Sequence, residues 1–147
     1  MALPDGLNAI EGAQQLHDWF GYWPTFHDAE IISLHLNRKN PSVLKIHTWE
    51  MTSEVDEAGH YVMAKDVVVD FMIDISGADD SLELYGFSHQ NVIFGLAISK
   101  GDSAYKLDID PCFGLGGEIR ADNISIRLVP GKPHGEPTNT AQADFTR

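Results

Sequence analysis

The spacing of apolar residues along this chain changes once, near residue 20. Before that point Ile10, Ala13, Leu16, His17 and Phe20 recur at intervals of three and four, one stripe of a helix. Asn8 stands where a cap belongs and Glu11 follows three positions later, a capping-box spacing. Gly21 tolerates the left-handed conformation that ends a helix. The pattern predicts a helix over 9–20.

After residue 20 the period falls to two, the signature of half-buried strands. In 30–37, Ile32, Leu34 and Leu36 alternate with Ser33, His35 and Asn37, and in 43–51 Leu44 and Ile46 alternate with Lys45, His47 and Trp49. In 61–74, Val67, Val69, Phe71 and Ile73 alternate with Asp66, Asp70 and Asp74. Leu82 and Leu84 are set inward against Glu83, Tyr85 and Phe87. Residues 92–99 are almost continuously apolar, which predicts a central strand. In 104–110 Tyr105, Leu107 and Ile109 alternate with Lys106, Asp108 and Asp110. A glycine-rich loop over 113–117 then leads to a last strand at 123–129.

Turn residues punctuate these runs: Asn40-Pro41-Ser42, the acidic stretch Glu54–Gly59, Gly77–Asp80 and Lys100-Gly101-Asp102. Tight turns between short strands predict antiparallel pairing, because parallel strands need a long crossover. One helix of about 12 residues is about 18 Å long. It cannot cover six or seven strands spaced about 4.8 Å apart. The sheet must therefore coil around the helix, fold into two layers, or leave a face for a partner. The predicted fold is α+β, one N-terminal helix packed on a curled, mainly antiparallel sheet of six to seven strands.

Residues 1–129 form the predicted single domain, and 130–147 a polar tail rich in Pro and Gly, mobile or laid along the surface. The whole chain of 147 residues has 10 basic and 22 acidic residues and a net charge of −12. The tail holds two of each sign, so the domain carries the entire excess. A chain so acidic repels nucleic-acid phosphates and favours a basic protein partner. No apolar run approaches the ~20 residues of a bilayer span, and the first residues lack the basic and apolar regions of a signal peptide. The single cysteine, Cys112, cannot build an internal disulfide and reads as a small buried hydrophobe in a reducing cytoplasm.

Candidate chemistry is sparse. Trp19, Phe20, Tyr22, Trp23 and Phe26 make an aromatic connector suited to pinning the helix on the sheet. Within it His27-Asp28, with Glu30 close by, offers metal-ligand types, and a metal-dependent hydrolase using His27, Asp28 and Glu30 is the enzymatic alternative. The plainer reading has His27 bonding backbone groups and Asp28 closing a turn. His35 and His47 become cross-strand neighbours if their strands pair. No third or fourth ligand stands at a recognisable spacing, so no metal and no other cofactor is expected. There is no Gly-x-Ser-x-Gly elbow. Gly114–Gly117 opens no helix and is flanked by acids, which disqualifies it as a phosphate cradle.

The acidic residues gather in three groups: Glu50 to Glu57, Asp79 with Asp80 and Glu83, and Asp108 with Asp110. Trp49, Tyr85 and Phe87 lie on the polar phase of their strands among them. Aromatics rimmed by carboxylates have the composition of a protein-binding surface. The residues proposed for partner contact are Trp49, Asp79, Asp80, Glu83, Tyr85, Phe87, Asp108 and Asp110. A structural subunit that covers its sheet by self-association, for example as a homodimer, is the other alternative.

The block Trp23-Pro-Thr-Phe-His-Asp-Ala-Glu30, followed by Ile46-His-Thr-Trp-Glu50 and Gly86-Phe-Ser-His-Gln-Asn91 and a glycine-rich turn before the last strand, resembles the immunity protein 50 family over about residues 16–130. The resemblance implies a bacterial cytoplasmic protein, encoded beside a polymorphic toxin, that binds the toxin domain and blocks it without catalysis. It also implies that Trp23, Pro24, Phe26, His27, Asp28 and Glu30 form a scaffold signature. The acidic charge separately favours a basic toxin, such as a nuclease.

Overall fold

The computed structural model describes residues 3–39, 41–75, 83–88, 90–102 and 104–133. Its helix, α1, spans Ala13–Phe20 and buries Ala13, Leu16, His17 and Phe20, the predicted stripe. The predicted start at residue 9 is corrected. Residues 4–13 approach through consecutive turns, Leu7 N–H to Pro4 O, Ile10 N–H to Leu7 O and Ala13 N–H to Ile10 O, each at 3.1–3.2 Å. No side chain caps α1, and the Asn8–Glu11 box does not form. Glu11 is held elsewhere: its carbonyl accepts the Ile126 N–H at 2.7 Å, and it bridges Ser125 in parallel. Gly12 takes the cap position with φ of 90°, and a Cβ there would collide with the Ile126 carbonyl. At the other end the prediction holds: Gly21 has φ of 83° and donates its N–H to His17 O at 2.7 Å.

Among the described residues seven antiparallel strands follow: β1 (Glu30–His35), β2 (Ser42–Val55), β3 (Tyr61–Ile75), β4 (Glu83–Tyr85), β5 (Val92–Lys100), β6 (Tyr105–Phe113) and β7 (Gly116–Pro130). Their order is β3-β2-β1-β5-β6-β7-β4, and β7 also pairs with β3. The sheet therefore closes on itself. The two halves of β7 have different neighbours: 117–121 pairs with β6, 121–130 with β3. β4 pairs with 116–118, resuming beyond residues 76–82 the line along which β3 runs. Closure is how this chain answers the problem of one short helix under a wide sheet, and it removes most exposed strand edges.

The interior is a single apolar cluster. Val67, Val69, Phe71 and Ile73 of β3, Leu44 and Ile46 of β2 and Ile124 of β7 are fully buried together with Leu7, Ala13 and Leu16. Phe26 stacks edge-on against Phe71, with centroids 5.6 Å apart. Pro24 and Phe26 are buried, Trp19 and Trp23 half-buried and Tyr22 exposed, so the aromatic connector is pinned through part of its length.

The ring has one thin join. β1 and β5 share a single ladder pair, Glu30 with Val92. The segment just before β1 completes the join: Leu96 N–H donates to Thr25 O, Asp28 N–H to Ile93 O, Ile93 N–H to Ala29 O and Ile31 N–H to Asn91 O, all at 2.8–2.9 Å. The Trp23–Glu30 block is thus the stitching that closes the sheet.

Four strand readings are corrected. A register shift between Ile31 and Ser33 puts Ile31, at 4% exposure, in the core and leaves Leu36 exposed. β5 sits centrally in the order, yet Phe94 and Ala97 are exposed, because its far face meets solvent rather than a second layer. β7 begins at Gly116, seven residues earlier than predicted, and the glycine-rich loop shrinks to Gly114-Leu115. Gly117 belongs in this strand because a Cβ there would strike the Glu83 carbonyl of β4. His35 opposes Val43 and His47 opposes Glu30, so the two imidazoles are not cross-strand neighbours. Leu82, the 77–80 turn and the tail from residue 134 lie outside the described residues.

Candidate functional site

Two irregularities in the β5–β6 ladder build the site. Val92 pairs with Phe113, Ile93 with Pro111 and Gly95 with Asp110, which leaves Cys112 as an extra residue on β6 and Phe94 as one on β5. Pro111 has no N–H to give the ladder, and Gly95 accepts the local bend. Such bulges re-aim side chains and free backbone groups. Here the freed Phe94 carbonyl meets His27 Nδ1 at 2.9 Å. A carbonyl can only accept, so Nδ1 carries the hydrogen, and in the neutral ring the lone pair is on Nε2. The imidazole also stands edge-on to the Phe94 ring, with centroids 5.2 Å apart.

His27 is flanked by two residues in the left-handed region, Phe26 (φ 63°) and Asp28 (φ 70°). The hydrogen bonds that stitch this segment to β5 hold both there, against the preference of L-residues. The double reversal buries Phe26 and leaves His27 and Asp28 outside. His27 Nε2 lies 3.6 Å from Asp28 Oδ1. Cys112, exposed rather than buried as the sequence suggested, completes the group: one donor atom from each of His27, Asp28 and Cys112 lies within 4.8 Å of the others. Glu30, the third member of the hydrolase alternative, is instead paired with His47 across the β1–β2 ladder.

Beside this group lies an open cleft of about 490 Å³, lined by Thr25, His27, Phe94, Ala97, Asp108 and Asp110 among others. The register extends its acidic wall. Ala97 opposes Asp108, Asp108 opposes Glu118 and Glu118 opposes Glu83, one row across β5, β6, β7 and β4 on one face. Within the row Glu118 is neutralised by Arg120 at 3.2 Å and Lys106 at 3.7 Å. Asp108, Asp110 and Glu83 are exposed and have no ion pair among the described residues.

The sequence-derived contact residues are thus divided. Glu83, Tyr85, Asp108 and Asp110 fall on the β4–β7–β6–β5 side, with Phe87 just past β4. Trp49 is half-buried on β2, with β1 between it and β5, and rests against His47. Burial lowers the pKa of His47, whose Nε2 has no hydrogen-bond partner among the described residues, and the charges of Asp66 and Glu30 oppose the shift in part. Asp79 and Asp80 lie outside the described residues. The sequence pattern did not single out Phe94, 55% exposed in the cleft with Asp108 and Asp110, or Phe113, 65% exposed at the end of β6. The one hint was Phe94 in a run too apolar to alternate.

The family model described as Immunity protein 50 matches residues 12–130. The chain belongs to the immunity protein 50 family. The match runs from the Gly12 cap to the last residue of β7, so the family unit is α1 with the closed sheet. No curated protein and no solved structure matches the chain. Among the described residues no helix of this immunity protein 50 member is long and apolar enough to cross a membrane.

Proposed function

We propose that this immunity protein 50 member is a non-catalytic inhibitor that binds a cognate bacterial toxin domain in the cytoplasm and blocks it by occlusion. The observation that carries this reading is the face of β4, β7, β6 and β5, where Asp108, Asp110 and Glu83 have no ion pair among the described residues and the rings of Tyr85, Phe94 and Phe113 are exposed. Carboxylates without internal partners attract Lys and Arg from a distance and speed encounter. Large rings beside them supply the apolar area that slows release. A basic toxin, such as a nuclease, fits that chemistry, and a net charge of −12 repels the nucleic acid such a toxin would act on.

The test is to isolate the protein that this chain retains in its native host and assay that partner's toxicity and activity against increasing amounts of the chain. Inhibition complete at one chain per partner is expected. A partner that stays fully active when saturated would refute the proposal.

A further inference from the structure

The structure brings Cys112 to the adjacent pair His27 and Asp28, the nearer of which lies 84 residues earlier in the sequence, and we propose that the three bind a Zn²⁺ ion. The site is independent of the toxin-binding reading and is a property of the isolated chain.

Three features support it. The first is ligand chemistry. Imidazole, carboxylate and thiolate together suit a borderline-soft divalent cation and not Mg²⁺ or Ca²⁺, which prefer oxygen alone. The second is orientation. His27 donates Nδ1–H to the Phe94 carbonyl at 2.9 Å, which leaves Nε2, 3.6 Å from Asp28 Oδ1, as the nitrogen available to an ion. A backbone carbonyl on the far nitrogen is the usual way a zinc-binding imidazole is fixed in tautomer and direction. The third is construction. Cys112 and the Phe94 carbonyl reach the site because each belongs to a bulge, and Asp28 because its backbone is held at φ 70°.

The donor atoms lie within 4.8 Å of one another. A tetrahedral zinc site needs donors about 3.4–3.7 Å apart, from bond lengths near 2.0–2.3 Å. The Asp28 side chain is 56% exposed, so its carboxylate has room to rotate toward the ion while the His27 ring keeps its hydrogen bond to the Phe94 carbonyl. Three protein ligands leave a fourth position open to solvent beside the cleft.

The experiment titrates the full, metal-stripped chain with Co²⁺ and then with Zn²⁺, alongside Cys112→Ser and His27→Gln. The expected result is one cobalt per chain with a thiolate-to-cobalt charge-transfer band, displaced by one equivalent of zinc and not by excess Mg²⁺. Cys112→Ser should abolish that band, and each variant should weaken zinc binding by about tenfold or more. Both side chains are exposed, so thermal melts of the metal-free variants should match the parent and separate lost ligation from lost folding. No charge-transfer band in the parent, or zinc affinity unchanged in Cys112→Ser, would overturn the assignment.

Discussion

Asp70 of β3 and Arg127 of β7 oppose each other across the ladder, and their ion pair stands on the outside of the closed sheet with only one partner in water. The Asp70 side chain is 2% exposed and that of Arg127 is 64% exposed. Arg127 donates to Asp70 Oδ2 through Nη2 at 2.5 Å and Nε at 3.2 Å, while Asp70 Oδ1 has no hydrogen-bond partner among the described residues. Lys45 opposes Asp70 from β2. A buried carboxylate so placed depends on its guanidinium, because removing one partner of such a pair leaves a charge without compensation. Arg127→Ala should lower unfolding free energy by about 2–4 kcal/mol in urea denaturation, and Asp70→Asn in that background should restore part of the loss. A loss in Arg127→Ala below about 0.5 kcal/mol would mean that water already solvates Asp70.

His47 sets a second expectation, this time for pH. Burial holds its pKa below the ordinary 6.5, with Asp66 and Glu30 opposing part of the shift. Between the lowered folded value and 6.5 the unfolded chain takes up a proton that the folded chain refuses. Unfolding free energy should therefore be fully present above pH 6.5, fall as the pH drops through that window, and level off below the folded pKa. Denaturant midpoints measured from pH 8 to 5 should show this slope, and His47→Gln should flatten it by up to one proton. An identical slope in the variant would place the titration elsewhere.

Legibility from sequence followed how local each determinant is. The β3 alternation of Val67, Val69, Phe71 and Ile73 was readable because period two survives wherever one face is buried. The helix stripe was readable for the same reason at its own period. The helix start was not, because the Ile126 N–H, 115 positions from Glu11, claims the carbonyl there and forces Gly12 into the cap. Closure of the sheet depends on β7 changing partner at Ala121, a pairing that no local pattern encodes. The candidate site was half legible: His27, Asp28, Asp108 and Asp110 stood out by type, whereas Cys112 and Phe94 join them only through bulges in the pairing of two strands. Pro111 and Gly95 are the visible traces of those bulges, and neither specifies the direction of the bend.

Gly12 and Gly21 make a matched pair at the two ends of α1, both left-handed, with φ of 90° and 83°. They differ in surroundings. A Cβ on Gly12 would strike the Ile126 carbonyl, whereas one on Gly21 meets nothing within 4 Å. Gly21→Ala should cost only the left-handed penalty, about 1–2 kcal/mol. Gly12→Ala adds a backbone collision at the contact between α1 and β7 and should cost more than about 3 kcal/mol or prevent folding. Melting of the two variants side by side checks the ranking, and equal losses would show that the β7 contact can yield.

With the partner toxin in hand, charge and apolar area on the proposed binding face separate kinetically. Asp108 and Asp110 are exposed and lack internal ion partners among the described residues, so their charge acts at a distance and is screened by salt. Asp108→Asn with Asp110→Asn should slow association by about three- to tenfold at low ionic strength, leave dissociation almost unchanged and make the association rate less sensitive to salt. Phe94 carries no charge and is 55% exposed at the cleft, so its contribution is made only after contact. Phe94→Ala should leave association within about twofold and speed dissociation by about tenfold or more, as expected of an aromatic anchor. Surface plasmon resonance at two salt concentrations resolves both. If the acidic double variant associates as fast as the parent at low salt, the toxin binds another face of the sheet, and the exposed His35 and Leu36 end of β1 is the next surface to probe.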